Sequence, residues 1–104
     1  MPIEYYRVNS DLNSTGYTSN ASKGGLMVNL PEQVDIGQIL KITLFFCFGP
    51  NLHSIKMLSQ VVWTDHRGED GSYQSGLRFV DISSEDMNRL ENLLEKVFKH
   101  VHIL

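Results

Sequence analysis

Residues 20–25 read N-A-S-K-G-G and carry side chains that could bind a small polar ligand. The amide of Asn20 donates and accepts hydrogen bonds, and the hydroxyl of Ser22 follows two positions later. In an extended segment, side chains two positions apart point to the same face. Lys23 adds a positive charge beside them. This short stretch therefore has the donors, acceptors and cation that a binding site for a polar or anionic group needs.

The two glycines of this stretch fit two interpretations. Gly24 and Gly25 let backbone N–H groups approach a ligand closely, because neither residue carries a side chain. Asn, Ser and Gly are also the usual residues of turns. On spacing alone, the stretch is predicted to be a tight turn or bulge that leads into a strand at Leu26, with a binding site as the alternative.

Nucleophiles and metal-binding residues do not form a recognisable catalytic pattern. The sequence has neither G-x-S-x-G nor H-E-x-x-H. His53 and His66 fall in predicted loops, and His100 and His102, two positions apart, would splay on a helix. Cys47 lies inside an apolar stretch, where a thiol behaves as a small hydrophobic group. We expect no catalytic residue, no metal site, no cofactor and, with one cysteine, no internal disulfide.

The composition is that of a single folded domain. The chain has 104 residues, of which 41% are hydrophobic and 20% charged, and this balance argues against disorder. Its formal net charge is −3 without a block of like charges, so we expect no binding to DNA or RNA. The first residues do not resemble a signal peptide, and no apolar stretch approaches the ~18 residues of a membrane-spanning helix. We expect one domain over residues 1–104, in the cytoplasm and without membrane insertion.

Alternation of apolar and polar residues predicts strands separated by turn residues. The clearest strand places Ile42, Leu44 and Phe46 on one face. Its opposite face, which includes Phe45, is also partly apolar, so something is expected to cover both faces, and this second face could mark a homodimer surface. The predicted strands are Ile3–Val8, Gly16–Ser19, Leu26–Leu30, Ile39–Phe48, Ser54–Thr64 and Tyr73–Val80.

The period changes near the end of the chain and predicts a helix there. Apolar residues recur at steps of three and four, which indicates an amphipathic helix from about Glu85 to Val101. Ser83 or Ser84 is the expected N-cap, because a serine hydroxyl accepts hydrogen bonds from the first free N–H groups. Burial of about seven apolar helix residues would contribute on the order of 10 kcal/mol, so the helix is expected to be integral to the fold.

Six strands joined by short connections can pair all of their edges by closing into a small barrel. The expected fold is therefore mainly β: a closed or nearly closed, six-stranded antiparallel β-barrel over about residues 3–80. The C-terminal amphipathic α-helix, over about residues 84–101, would cover an opening or an exposed face of this barrel.

The order of these parts resembles the PilZ domain family, over nearly all of residues 16–100. That family is a six-stranded, split antiparallel β-barrel with a C-terminal helix, so the resemblance implies the fold already expected. The segments that carry the resemblance are N-A-S-K-G-G-L-M-V, I-G-Q-I-L-K-I-T-L, S-Q-V-V-W-T and S-G-L-R-F-V-D-I, followed by the terminal helix.

PilZ domains are best known as receptors for the bacterial second messenger cyclic di-GMP. Of the family's two motifs, [D/N]-x-S-x-x-G is matched in full by Asn20, Ser22 and Gly25. The other, R-x-x-x-R, is not matched, because Arg7 is followed four positions later by Asp11 and the family's arginines would fall before residue 1. The absence of two charge-assisted contacts would weaken binding by roughly two to four decades.

The candidate ligand residues implied by the resemblance are Asn20, Ser22, Lys23, Gly24, Gly25 and Arg7. Arg7, Lys23 or Arg78 could partly replace the missing arginines, and a partner chain could also donate them. Arg78 alternates with apolar neighbours and is expected to point outward, either beside the ligand or into solvent. Trp63 is expected to be a core residue at the barrel rim, with an exposed stacking platform as the alternative.

The resemblance implies a non-enzymatic bacterial signalling domain, with two alternatives for what it binds. In the first, it is a cyclic di-GMP receptor that conveys the state of the second messenger to a partner protein. In the second, it is a degenerate PilZ-like adaptor that binds a protein of, for example, motility, surface-attachment or secretion machinery and does not bind cyclic di-GMP on its own.

Overall fold

The computed structural model describes residues 1–10, 12–66 and 71–97. Within these residues the six strands form a closed barrel in the order β1-β2-β3-β6-β5-β4, and every neighbouring pair is antiparallel. The predicted fold class is confirmed. The elements are β1 (Pro2–Arg7), β2 (Ser14–Ala21), β3 (Gly25–Leu30), β4 (Ile39–Phe48), β5 (Asn51–His66), β6 (Tyr73–Asp81) and α1 (Ser84–Val97).

The barrel core is built by the inward residues of each alternating strand. In β4, Leu40, Ile42, Leu44 and Phe46 are all buried, as the alternation predicts. The expectation that both faces of this strand are covered is wrong for Cys47, which is exposed. Cys47 has the parity of the outward residues, and the described elements do not pack over it.

Two strands, β2 and β5, are longer than the sequence predicted by more than one residue. β2 extends to Ala21 because a register shift between Thr18 and Asn20 absorbs an extra residue, and the buried Thr18 hydroxyl donates to the Met27 carbonyl across the bulge (2.7 Å). β5 begins at Asn51 because Gly49 adopts a φ of +59° in a two-residue turn.

The extra length of β5 changes the position of two histidines. His53 and His66, predicted in loops, both lie within β5. His53 stacks on Phe46 at 5.4 Å between ring centroids, and His66 stacks on Tyr73 at 4.6 Å. Both imidazoles therefore pack against an aromatic ring of a neighbouring strand. His100, His102 and the predicted helix end at Val101 fall outside the described residues.

Helix α1 packs on β5 and is fixed at both ends. Ser83 is the N-cap, since its hydroxyl accepts a hydrogen bond from the Asp86 N–H (3.1 Å). The Asp86 carboxylate accepts one from the Lys56 backbone N–H (3.4 Å), which connects the start of the helix to β5. Near its end, the Lys96 ammonium lies 5.0 Å from the centroid of the Phe48 ring. Among the helix side chains that the structure describes, Leu90, Leu93 and Leu94 are buried.

Tyr5 gives the fold a predicted alkaline sensitivity. Burial raises the pKa of its hydroxyl above 10.0, and the nearby charge of Glu32 raises the pKa further. A raised folded-state pKa means that the folded chain holds the proton more tightly than the unfolded chain, whose tyrosines titrate near ~10. The stabilisation from this proton is therefore complete below pH ~10 and is lost as the pH rises above that value.

We expect Tyr5→Phe to flatten the loss of stability above pH ~10 and to change stability at pH 7 by no more than about 1.5 kcal/mol. Urea denaturation between pH 7 and 11 measures both effects. Tyr17→Phe is the matched control, because it removes the same hydroxyl group from a side chain that is 49% exposed. A wild-type pH profile in the Tyr5 variant would contradict this prediction.

Candidate functional site

A concave pocket of about 310 Å³ lies on the outer face of the barrel, where β2, β3, β6 and β5 are neighbours. The β2–β3 connection contributes Asn20, Ser22, Gly24 and Gly25. The opposite side comes from two strands that are remote in sequence: Val62 and Trp63 on β5, and Gly76–Arg78 on β6. The fold thus joins the N-A-S-K-G-G stretch to the V-V-W and G-L-R stretches at one site.

The N-A-S-K-G-G stretch is half strand and half turn. Asn20 and Ala21 end β2. Ala21 is buried in the barrel, so the side chains on either side of it, Asn20 and Ser22, face outward. Ser22 closes the turn twice: its N–H donates to the Gly25 carbonyl (2.9 Å), and its hydroxyl accepts from the Gly24 N–H (3.2 Å). The side chains of Asn20 and Ser22 remain exposed. The turn and the pocket are therefore compatible features of the same residues.

Gly25 is required by strand packing. A Cβ at this position would lie 1.9 Å from the Leu77 carbonyl oxygen on β6, which is far inside any allowed contact. At Gly24 the nearest atom to such a Cβ would be the Ser22 hydroxyl oxygen at 3.9 Å, an ordinary contact. The glycine of the signature therefore lets β3 approach β6 closely, whatever the pocket binds.

Trp63 lies on the outer surface, and the expectation that it belongs to the core at the barrel rim is wrong. It is 40% exposed and lines the pocket. A register shift between Val61 and Trp63 leaves Val61 buried but turns both following side chains outward. The indole covers Gly76, where a Cβ would lie 2.0–2.6 Å from three of its ring atoms. A glycine within a strand is the sequence signal that marks such a close approach.

Arg78 points outward, as predicted, and it lies beside the pocket. It is two positions from Gly76 on β6 and opposite Gly25 on β3. Its Nη2 donates to the Gln60 side-chain oxygen at 2.7 Å. Gln60 was not singled out by the sequence, since its role depends on a pairing between β5 and β6.

Two of the predicted ligand residues do not line this pocket. Lys23 is exposed in the same turn but is not one of the lining residues. Arg7 ends β1 and forms an ion pair with Glu32 (2.8 Å). Arg7 is six positions from Met1, whose backbone pairs with Thr18 near the pocket, so Arg7 lies roughly 20 Å along the strand from that end.

Among the residues described, no three His, Cys, Asp or Glu side chains come together as a metal site would require. Within 1–10, 12–66 and 71–97, no helix has the length and apolar character needed to cross a membrane.

Comparison with known proteins identifies the family. No curated protein matches the sequence significantly. The solved structure of the Bacillus subtilis inhibitor of motility (MotI/DgrA) is similar to this one, with a TM-score of 0.71 and 14% sequence identity over 92% of this chain. The chain spans only about half of that protein, 48% of its length. The family model of the PilZ domain matches residues 1–96. The chain therefore belongs to the PilZ domain family.

Proposed function

We propose that this PilZ domain is a non-enzymatic receptor for cyclic di-GMP that conveys the state of the second messenger to a partner protein. The observation that carries the proposal is the pocket itself. Asn20 and Ser22, which match the family's ligand signature, open onto the same concave surface as the exposed indole of Trp63. The proposal includes a location in the cytoplasm, as expected from the sequence. The exposed free thiol of Cys47 fits such a reducing compartment.

The chemistry of the pocket suits a guanine nucleotide. The Asn20 amide and the Ser22 hydroxyl can pair with the donors and acceptors at a guanine edge. The indole of Trp63 offers a flat surface on which a base can stack, and such stacking contributes roughly 1–3 kcal/mol per base. Gly24 and Gly25 have no side chain that would block a ligand, and Lys23 adds positive charge to the same turn.

A second candidate function is a protein-binding adaptor that does not bind the nucleotide on its own. The observation in its favour is that Arg7 is neutralised by Glu32, away from the pocket. In this proposal the barrel and helix bind a protein directly, and the half-buried Phe45 on the outer face of β4 is a candidate homodimer contact. Because the similar Bacillus subtilis protein is named an inhibitor of motility, motility machinery is the first class of partner to test.

Titration with cyclic di-GMP tests the receptor proposal. Trp63 is the only tryptophan of the chain, so its fluorescence reports directly on the pocket. We expect quenching that saturates, together with binding heat in calorimetry. Asn20→Ala and Ser22→Ala should each weaken binding about 5- to 100-fold, because each removes a protein side chain that would form a hydrogen bond with the ligand. Asn13→Ala, an exposed asparagine outside the pocket, should leave the affinity unchanged.

The outcomes separate the two functions. A wild-type protein that shows neither quenching nor heat at high micromolar ligand rejects the receptor proposal. Unchanged affinity in both pocket variants would mean that the nucleotide binds elsewhere. For the adaptor proposal, the protein is used as bait against motility, attachment and secretion components, with and without nucleotide. Failure to retain any specific component under either condition would reject it.

A further inference from the structure

Arg78 is held differently from the other arginines of the described residues. Arg7 is paired with Glu32, and Arg89 is paired with carboxylates of its own helix. Arg78 instead donates to the neutral amide of Gln60 at 2.7 Å. A neutral acceptor fixes the direction of a guanidinium without cancelling its charge, and it uses one of five N–H donors. Arg78 therefore remains a preoriented cation with free donors.

Gln60 is itself fixed by the backbone. Its side-chain nitrogen donates to the Gly37 carbonyl at 3.3 Å. Gly37 is tied to the same strand, because its N–H donates to the Val61 carbonyl at 2.7 Å. With the amide nitrogen engaged on one side, the amide oxygen faces Arg78 on the other. The turn that contains Gly37 thus positions Gln60, and Gln60 positions the guanidinium of Arg78.

The fixed guanidinium lies next to the stacking surface. Arg78 and Gly76 are two positions apart on the same face of β6, a separation of roughly 7 Å along the strand. Gly76 is covered by the indole of Trp63, and both Arg78 and Trp63 line the pocket. A single ligand can therefore place an aromatic base on Trp63 and an anionic group at Arg78.

We infer that Arg78 binds a phosphodiester oxygen of the nucleotide and that Gln60 is its positioning residue. This inference rests on the proposed receptor function and names the protein group that binds the anionic phosphodiester of the ligand. Neither Lys23 nor Arg7 lines the pocket, so among the described lining residues Arg78 is the cation available for this contact. A guanidinium suits it, because its planar fork can donate two parallel hydrogen bonds to phosphate.

The inference is tested by titrating cyclic di-GMP against Arg78→Gln and Gln60→Glu, with Trp63 fluorescence as the readout. Arg78→Gln removes the cation and is expected to weaken binding about 10- to 100-fold. Gln60→Glu keeps the size of the side chain and the contact with Arg78, loses the hydrogen bond to the Gly37 carbonyl, and supplies a negative charge that neutralises Arg78. It should weaken binding at least about 10-fold while the protein stays cooperatively folded, because the lost bond to the Gly37 carbonyl is solvent-exposed. Both variants should show a weaker dependence of affinity on salt than the wild type.

Two matched controls separate a local effect from a change in net charge. Arg89→Gln removes one positive charge on the helix, and Gln33→Glu adds one negative charge at an exposed position. Neither residue lines the pocket, and neither variant should change the affinity by more than about twofold. If Gln60→Glu binds as the wild type does, Gln60 has a purely structural role and the positioning claim is overturned.

The failure of this inference is distinct from that of the proposed function. Wild-type binding that neither Arg78→Gln nor Gln60→Glu weakens overturns the assignment of Arg78 alone. A wild-type protein that does not bind cyclic di-GMP overturns the receptor function and this inference together. Weakened binding in both variants, with unchanged controls, supports both.

Discussion

Gly25→Ala is expected to destabilise the protein by more than about 3 kcal/mol, and failure to fold is the extreme form of the same result. The added Cβ would lie 1.9 Å from the Leu77 carbonyl oxygen, and backbone atoms cannot move aside as the end of a side chain can. Relief of this clash requires β3 to separate from β6 at the Gly25–Arg78 pair. The cost exceeds the ~1–3 kcal/mol typical of overpacked cores, because ladder hydrogen bonds are lost as well.

Gly24→Ala is the matched control, since it makes the same chemical change at the adjacent position. Its Cβ would meet the Ser22 hydroxyl oxygen at an ordinary 3.9 Å, and its backbone is not in the left-handed region. We expect its stability to lie within about 0.5 kcal/mol of the wild type. Urea denaturation of the three proteins measures the difference. A Gly25 variant as stable as the Gly24 variant would contradict the packing argument.

This contrast affects how the ligand signature is interpreted. Of the three signature residues, Asn20 and Ser22 have exposed side chains at the pocket, whereas Gly25 serves the approach of two strands. Loss of binding after a change at Gly25 would therefore report loss of the fold. Evidence for the receptor function has to come from Asn20, Ser22 and Trp63, whose exposed side chains line the pocket.

The fold could be predicted from local patterns because each pattern is short in range. A period of two in Ile39–Phe48 requires only that one face be buried, and Leu40, Ile42 and Leu44 are buried as that period demands. The helix follows from apolar steps of three and four, and the serine before it supplies the cap. The closed barrel then follows because it is the arrangement that leaves few strand edges unpaired.

Half of the candidate site could not be predicted, because it depends on register. The bulge between Val61 and Trp63 reverses the face of Trp63, and one residue of shift is enough to move an indole from core to surface. The contact of Arg78 with Gln60 likewise requires knowing which residues of β5 and β6 are opposite each other. Asn20 and Ser22 could be named as candidates because they belong to a short, contiguous motif that the PilZ resemblance implies.

Leu90→Ala is expected to cost about 3–5 kcal/mol, which would show that helix α1 is part of the cooperative fold. Leu90 is completely buried in the face that packs on the barrel. The substitution removes this packing and leaves a cavity, while alanine keeps the intrinsic helix preference at its maximum. The loss of stability therefore reports the contact between helix and barrel and not the propensity of the helix.

Glu91→Ala supplies the control at the neighbouring, exposed position, and it should change stability by less than about 0.5 kcal/mol. Denaturation is followed by far-ultraviolet circular dichroism, which reports the helix, and by Trp63 fluorescence, which reports the barrel. If the helix is integral, both probes shift together to lower urea in Leu90→Ala. If the dichroism alone shifts and the Trp63 transition stays at the wild-type midpoint, the helix is a separate unit, and α1 rather than the barrel becomes the free surface to test for partner binding.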